Sequence, residues 1–258
     1  MNNPLPKKSL GQHWLYDEDA LRAMCDAAEL DGDDVVVEIG PGLGTLTSYL
    51  VDNAKQVTAL EYDRDLARQL AKRVKADNLE IYEADCLTFD YASVPAGYKV
   101  VANIPYYLTS NLLRTLSEAS NPPALITLLV QKEVAERVAA KPGQMSLLSV
   151  SVQLYYEASL DMVVPAELFT PPPKVDSQII KLVRRPEPLF PDLDEKKFFQ
   201  IVKAGFSQRR KKLRSSLSAG LRITKSEAEA LLALAQVDPN ARPQELSLEQ
   251  WYQLYLQV

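Results

Sequence analysis

Four short stretches of this 258-residue chain hold side chains whose types and spacing suit chemistry. The first is Glu38-Ile39-Gly40-Pro41-Gly42-Leu43-Gly44, after the apolar run VVVEI and before a helical pattern. Gly40 and Gly42 allow a tight turn and a close approach of a ligand to the backbone. The second is Glu61, about twenty residues on, at the end of the run VTALE, where a carboxylate can accept hydrogen bonds from ribose hydroxyls. The third is Asp85 in EADCLTF, after a further apolar run. The fourth is Asn103-Ile104-Pro105-Tyr106-Tyr107, where an apolar run stops on an amide, a rigid turn and two aromatic rings.

The glycine loop departs from the dinucleotide fingerprint G-x-G-x-x-G. Pro41 removes a backbone donor that a pyrophosphate would use, and an acid opening the loop repels such an anion. Glu38 suits a ligand with a cationic end, and S-adenosylmethionine carries both a sulfonium and an ammonium. Asp85 falls on the same sheet edge as the other two loops, where it can accept a hydrogen bond from an adenine amine. Its plainer reading is a helix or turn cap. Taken alone, Asn103-Ile104-Pro105-Tyr106 is most simply a strand ending in a proline turn, with tyrosines shielding the core.

The elements that must position these residues alternate. Residues 35–39, 57–61, 79–84, 99–104 and 124–130 read as buried strands, and 45–54, 64–76 and 109–119 as the helices between them. Strands alternating with helices of this length predict βαβ units and a doubly wound, largely parallel α/β sheet. QKEVAERVAA and SLLSVSVQLYY read as further helices, and SLDMVV and SQIIKLVRR as two closing strands. Near residue 185 the texture changes: RRPEPLFPDLDEKK holds three prolines and many charges and reads as a linker. Four helical patterns follow. The expected organisation is an α/β domain over 1–185 and a smaller all-helical C-terminal domain over 186–258.

Composition narrows the classes. The 47% hydrophobic and 24% charged content is that of a globular chain. No stretch approaches about 18 uninterrupted apolar residues, so no membrane span is expected. MNNPLPKKSLGQHW lacks the apolar core of a secretory signal. Cys25 and Cys86 form no C-x-x-C pair and suggest buried thiols in a reduced, cytoplasmic setting. His13 is the single histidine, which excludes a multi-histidine metal site. The net charge of −5 argues against a nucleic-acid partner, yet KAGFSQRRKKLR (203–214) packs six cations and no acid. Removing them would leave the remainder more than twice as acidic as the whole. If the run is helical, its cations surround the helix, which suits a polyanion better than solvent.

With these pieces placed, the chain resembles the class I methyltransferases, and more narrowly the small-subunit ribosomal RNA adenine dimethyltransferases. The matching stretches are KKSLGQHWL, VVEIGPGLGTLT, LEYDRDL, EADCLTF, NIPYYLTS, VQKEVAERV, FTPPPKVDS and GFSQRRKKLRSSL, in family order over nearly the whole length. Many members carry Asn-Phe where this chain has His13-Trp14.

The resemblance implies a Rossmann-like methyltransferase domain with a helical domain that binds RNA or the ribosome. It implies transfer of methyl groups from S-adenosylmethionine to the exocyclic N6 amines of two adjacent adenosines in the 3′-terminal hairpin of small-subunit rRNA, during subunit maturation. The partner is the small ribosomal subunit or its precursor, and the enzyme is expected to be a cytoplasmic monomer. Asn103 and the Ile104 carbonyl are expected to accept the amine's N–H bonds, Pro105 to aim them, Tyr106 to stack on the base and Phe169 to close its other face. His13, Leu15, Gly40, Gly42, Glu61, Asp85 and Asn103 are expected around the cofactor. Lys174, Arg209, Arg210, Lys211, Lys212 and Arg214 are expected on RNA. Lys7 and Lys8 read as a solvated basic pair or an RNA contact, and Pro171–Pro173 as at least a stiff connector. The rivals are the macrolide-resistance methyltransferases, which act on large-subunit rRNA, and a non-catalytic assembly or transcription factor of the same fold.

Overall fold

The expected alternation builds a seven-stranded sheet in the computed structural model, which describes residues 4–7, 10–208 and 210–258. Its strands are β2 (Val35–Ile39), β3 (Gln56–Glu61), β4 (Leu79–Glu83), β5 (Lys99–Asn103), β6 (Leu125–Gln131), β7 (Tyr156–Val164) and β9 (Ser177–Arg184). The order is β4-β3-β2-β5-β6-β9-β7; β9 runs antiparallel to both neighbours and the other adjacent pairs are parallel. Helices α2 (Thr45–Asn53), α3 (Arg64–Arg73) and α4 (Thr109–Glu118) make the crossovers, and α1 (Glu18–Ala27) precedes the sheet. A sheet covered on both faces needs strands apolar on both faces, which is why VVVEI does not alternate. Val36 and Val37 are fully buried.

Because β2, β3, β4 and β5 are parallel, their C-terminal ends share one edge. The chain reverses its direction of winding between β2 and β5, and in open α/β sheets ligands bind at that switch point. A two-stranded antiparallel pair, β1 (Trp14–Leu15) with β8 (Phe169–Thr170), is an element that the sequence pattern left unmarked. Two-residue strands carry no periodicity.

The chain divides into two compact units, one of residues up to 136 with 156–184, the other of 137–155 with 185–258. This differs from a single boundary near 185. Helix α6 (Leu147–Gln153) belongs with the second unit because its Val150 and the following Leu154 join the core built on Phe198, Ile201, Leu213, Leu217 and Trp251. That unit also holds α7 (Glu195–Phe206), α8 (Leu213–Leu221), α9 (Lys225–Leu234) and α10 (Leu248–Tyr255); the short α5 (Lys132–Val138) straddles the division.

SLLSVSVQLYY is helical only to Gln153. Tyr156 instead opens β7, fully buried, with its hydroxyl donating to the Pro123 carbonyl and the Arg184 guanidinium over its ring. Tertiary packing overrides the helical pattern there. The basic segment also differs from a helix face: α7 ends at Phe206 and α8 begins at Leu213, so Arg210, Lys211 and Lys212 lie in the connection.

Candidate active site

The glycine loop is shaped by what packs on it. Gly42 has φ +56°, and a Cβ there would stand 2.8 Å from Trp14 Cζ3. Both facts require glycine. Trp14 in turn packs with Leu43 and Leu66, which fastens the N-terminal strip against the loop. The Gly42 amide donates to Glu61 Oε2 (3.0 Å) and the Asp63 amide to Glu61 Oε1 (2.8 Å). Glu61 thus ends β3 with both oxygens aimed by backbone and with lone pairs remaining for a ligand's hydroxyls. Burial pushes its pKa up despite these two amide bonds.

Around this switch point is a cavity of about 450 Å³, lined from every loop on the sheet edge. Glu38, Gly40, Gly42, Glu61, Asp85, Asn103, Ile104, Pro105 and Tyr106 all line it, with His13, Leu15 and Phe169. Glu38 is 1% exposed; its Oε2 meets no well-aligned hydrogen-bond partner among the described residues, with the Thr47 hydroxyl beside the carboxyl. Burial pushes its carboxyl up to about 8 against the opposing Thr47 hydroxyl, with the nearby Glu61 adding to the rise. A buried carboxyl oxygen without a well-aligned partner on a cavity wall fits a cationic group. Asp85 lines the cavity, and its Oδ1 caps a turn through the Leu87 amide (2.9 Å), the plainer of its two sequence readings.

Asn103 ends β5 in register with Leu129. Pro105 (φ −56°, ψ 131°) turns the chain, and the Leu108 amide donates to its carbonyl (3.0 Å). The Ile104 side chain is buried, which fixes its backbone, and its carbonyl accepts no turn or cap bond among the described residues. The Tyr106 hydroxyl shares a 2.7 Å hydrogen bond with Ser177 Oγ on β9. Ser177 is fully buried, so this bond locks the ring's orientation. Burial raises the Tyr106 pKa.

The ring that faces Tyr106 is His13, at 6.1 Å between centroids and 20° between planes. Phe169, expected opposite Tyr106, is 3% exposed and belongs to the main core cluster while lining the cavity. His13 Nδ1–H donates to the Pro171 carbonyl (2.6 Å), since a carbonyl can only accept, which fixes the ring's orientation. Leu15 is also a core residue. Burial pushes the Cys86 thiol, on the cavity wall, up to about 11 and Cys25 up to about 12, which leaves both poor nucleophiles.

The basic residues are not all alike. Arg210 and Lys211 are exposed, whereas Lys212 Nζ donates to Asn240 Oδ1 (2.7 Å) and Arg214 is paired with Glu229. Lys174 is exposed between β8 and β9 and does not line the cavity. Arg209 and Lys8 lie outside the described residues. Lys7 is not simply solvated: its Nζ is 2.7 Å from Asp63 Oδ2. Sequence reasoning missed Trp14, Tyr62 and Tyr107 on the cavity wall. The last two are 68% and 61% exposed at its rim, a placement their adjacency to Glu61 and Tyr106 would have signalled.

Comparison with known proteins places the sequence and the fold in a family. The family model described as ribosomal RNA adenine dimethylase matches residues 4–258. A protein named ribosomal RNA small subunit methyltransferase A from Dehalococcoides mccartyi is 42% identical over 254 residues, 97% of this chain and 87% of that one. Its namesake from Lactococcus lactis is 40% identical, over 96% of this chain and 88% of that one. Among solved structures, the 23S rRNA methyltransferase ErmE superimposes with TM-score 0.77 at 33% identity, covering 95% of this chain and 98% of that one. A dimethyladenosine transferase from Plasmodium falciparum gives TM-score 0.79 at 26% identity, covering 93% and 95%. The match of the family model over residues 4–258, and relatives at 40–42% identity over nearly all of the chain, establish that it belongs to the ribosomal RNA adenine dimethylase family.

Proposed function

We propose that this enzyme uses S-adenosylmethionine to dimethylate the N6 amines of two adjacent adenosines in the 3′-terminal hairpin of small-subunit rRNA, during subunit maturation. The observation that carries this is the meeting, in one cavity, of Glu61, Asp85, the buried Glu38 carboxyl and the Asn103-Ile104-Pro105-Tyr106 turn. Glu61 holds the ribose hydroxyls, Asp85 Oδ2 accepts from the adenine amine, and Glu38 faces the cationic end. When bound, the cofactor supplies an electrophilic methyl group on sulfur.

The target amine is a poor nucleophile because its lone pair is delocalised into the ring. Asn103 Oδ1 and the Ile104 carbonyl accept its two N–H bonds, which favours a pyramidal nitrogen and directs the lone pair. Pro105 fixes the angle between these acceptors. Tyr106, locked by Ser177, carries the flipped base. No strong base is required, because the N-protonated product is far more acidic than the amine. Rate comes from proximity and in-line aim. The second methylation needs the monomethyl product to turn or rebind. RNA is held by the connection between α7 and α8, chiefly Arg210 and Lys211, with Arg209, Lys212, Arg214 and Lys174 as further contacts.

Relatives named for the small subunit match at 40–42% identity, against 33% for the 23S enzyme, which supports the small-subunit substrate over the large. The cofactor assignment is tested by calorimetric titration of Glu61→Ala. Losing a charge-assisted acceptor should weaken S-adenosylmethionine binding by about 1.5–3 kcal/mol, roughly ten- to hundred-fold. Unchanged affinity in a folded variant would remove Glu61 from the cofactor.

A further inference from the structure

We propose that Lys7 is a positioning residue for the cofactor: its ion pair with Asp63 ties the N-terminal strip that walls the cavity to the turn that aims Glu61. This rests on the cofactor reading above. Residues Leu10 to Leu15 line the cavity. At one end the strip is fastened by β1–β8 pairing and by the His13 bond to the Pro171 carbonyl. Near its middle, Gly11 backs onto Pro105 and Tyr107. At the other end, Lys7 Nζ stands 2.7 Å from Asp63 Oδ2 and 3.6 Å from Asp65 Oδ2. The Lys7 amide donates to Gln12 Oε1 (2.8 Å), and its carbonyl accepts from the Leu10 amide (3.0 Å). The Lys7 backbone is therefore hydrogen-bonded to two residues of the cavity wall, Leu10 and Gln12, and its ammonium reaches Asp63 from there.

Asp63 connects the tie to the site. Its Oδ1 caps α3 through the Asp65 amide (3.0 Å), and its own amide donates to Glu61 Oε1. A surface ion pair is ordinarily worth little. This one is different because the Asp63 side chain is only 3% exposed while that of Lys7 is 50% exposed. Burial alone would push the Asp63 carboxyl up, but Lys7 and the backbone amides of α3 outweigh it and hold the pKa below its usual value. Without the ammonium, a buried carboxylate is left in the turn that carries the Glu61 acceptor, and the strip is free at one end.

The test measures binding and release of S-adenosylhomocysteine, the unreactive product, by full-length wild type, Lys7→Met, Asp63→Asn and the double variant. Asparagine caps a helix as well as aspartate, so Asp63→Asn removes the ion pair and keeps the cap. Each single variant should bind about ten-fold more weakly, mainly through faster release. The double variant should be no worse than either single one, because both remove the same interaction. Lys7→Arg should restore wild-type release. A melting temperature that falls while affinity and release stay at wild-type values would make the pair purely structural and overturn the proposal. Additive losses in the double variant, or no rescue by arginine, would also overturn it. If wild type itself fails to bind, the cofactor reading fails and this inference falls with it; wild-type binding matched by Lys7→Met would overturn the tie alone.

Discussion

Glu38→Gln should flatten the dependence of stability on pH. Glu38 lies near the end of β2 and is 1% exposed, with the Thr47 hydroxyl beside its carboxyl. Burial moves its carboxyl from an ordinary 4.5 to about 8. Between those values the folded protein holds a proton that the unfolded chain has released. The pKa is raised on folding, so stability is complete below about 4.5 and drains as pH rises toward 8. The slope is about 1.4 kcal/mol per pH unit. Glutamine cannot ionise and loses this term, while its own buried amide adds a pH-independent offset of about 1–3 kcal/mol. Urea unfolding at about pH 5.5 and about pH 7.5 would compare the two proteins, and their stability difference should change by about 2–3 kcal/mol in favour of the variant. Parallel profiles would show that Glu38 does not carry this proton. The same logic links pH to the cofactor. A cation entering beside Glu38 favours its ionised form, so binding near neutral pH should release a proton, visible as a dependence of calorimetric heat on the buffer.

Asn103→Ala should lower single-turnover methyl transfer by about a hundred-fold with RNA affinity nearly unchanged, since one preorganised acceptor is lost from the transition state. Tyr106→Phe should keep most activity but lose about 1 kcal/mol of stability with the Ser177 bond, measured by chemical denaturation. Replacing Arg210 and Lys211 by alanine should reduce the log–log salt slope of RNA binding by about two and leave cofactor affinity intact. Gly205→Ala should destabilise the second unit by about 1–3 kcal/mol, because the added Cβ would stand 2.4 Å from Trp251 Cη2; thermal unfolding is the check.

How much was legible in the sequence depended on the physics behind each feature. Buried parallel strands announce themselves as unbroken apolar runs, so β2, β3, β5 and β6 and the sheet edge they share were readable. That Gly40, Gly42, Glu61 and Asp85 fall on one cavity wall was readable because each follows or ends a strand at that edge. Long-range packing was not. Tyr156 looks helical beside its neighbours and becomes a strand residue only through contacts with Pro123 and Arg184, far away in sequence. The two-residue β1 and β8, the His13 ring against Tyr106 and the burial of Phe169 have no local signature. Lys7 looked like a solvated cation because nothing adjacent reveals that it meets Asp63, whose burial gives the pair its weight. In the basic segment, density of charge was visible, but the turn that holds Arg210 and Lys211 clear of helix and the pairing of Arg214 with Glu229 were not.

The central claim is methyl transfer to adenine N6 in small-subunit rRNA. Undermodified small and large ribosomal subunits, each incubated with the protein and methyl-labelled S-adenosylmethionine, would be digested and their rRNA fragments read by mass spectrometry. The predicted result is label in small-subunit rRNA alone, as two adjacent N6,N6-dimethyladenosines in the 3′-terminal hairpin, at an initial rate about a hundred-fold lower with Asn103→Ala. Label in large-subunit rRNA, or no label with wild type, would contradict it.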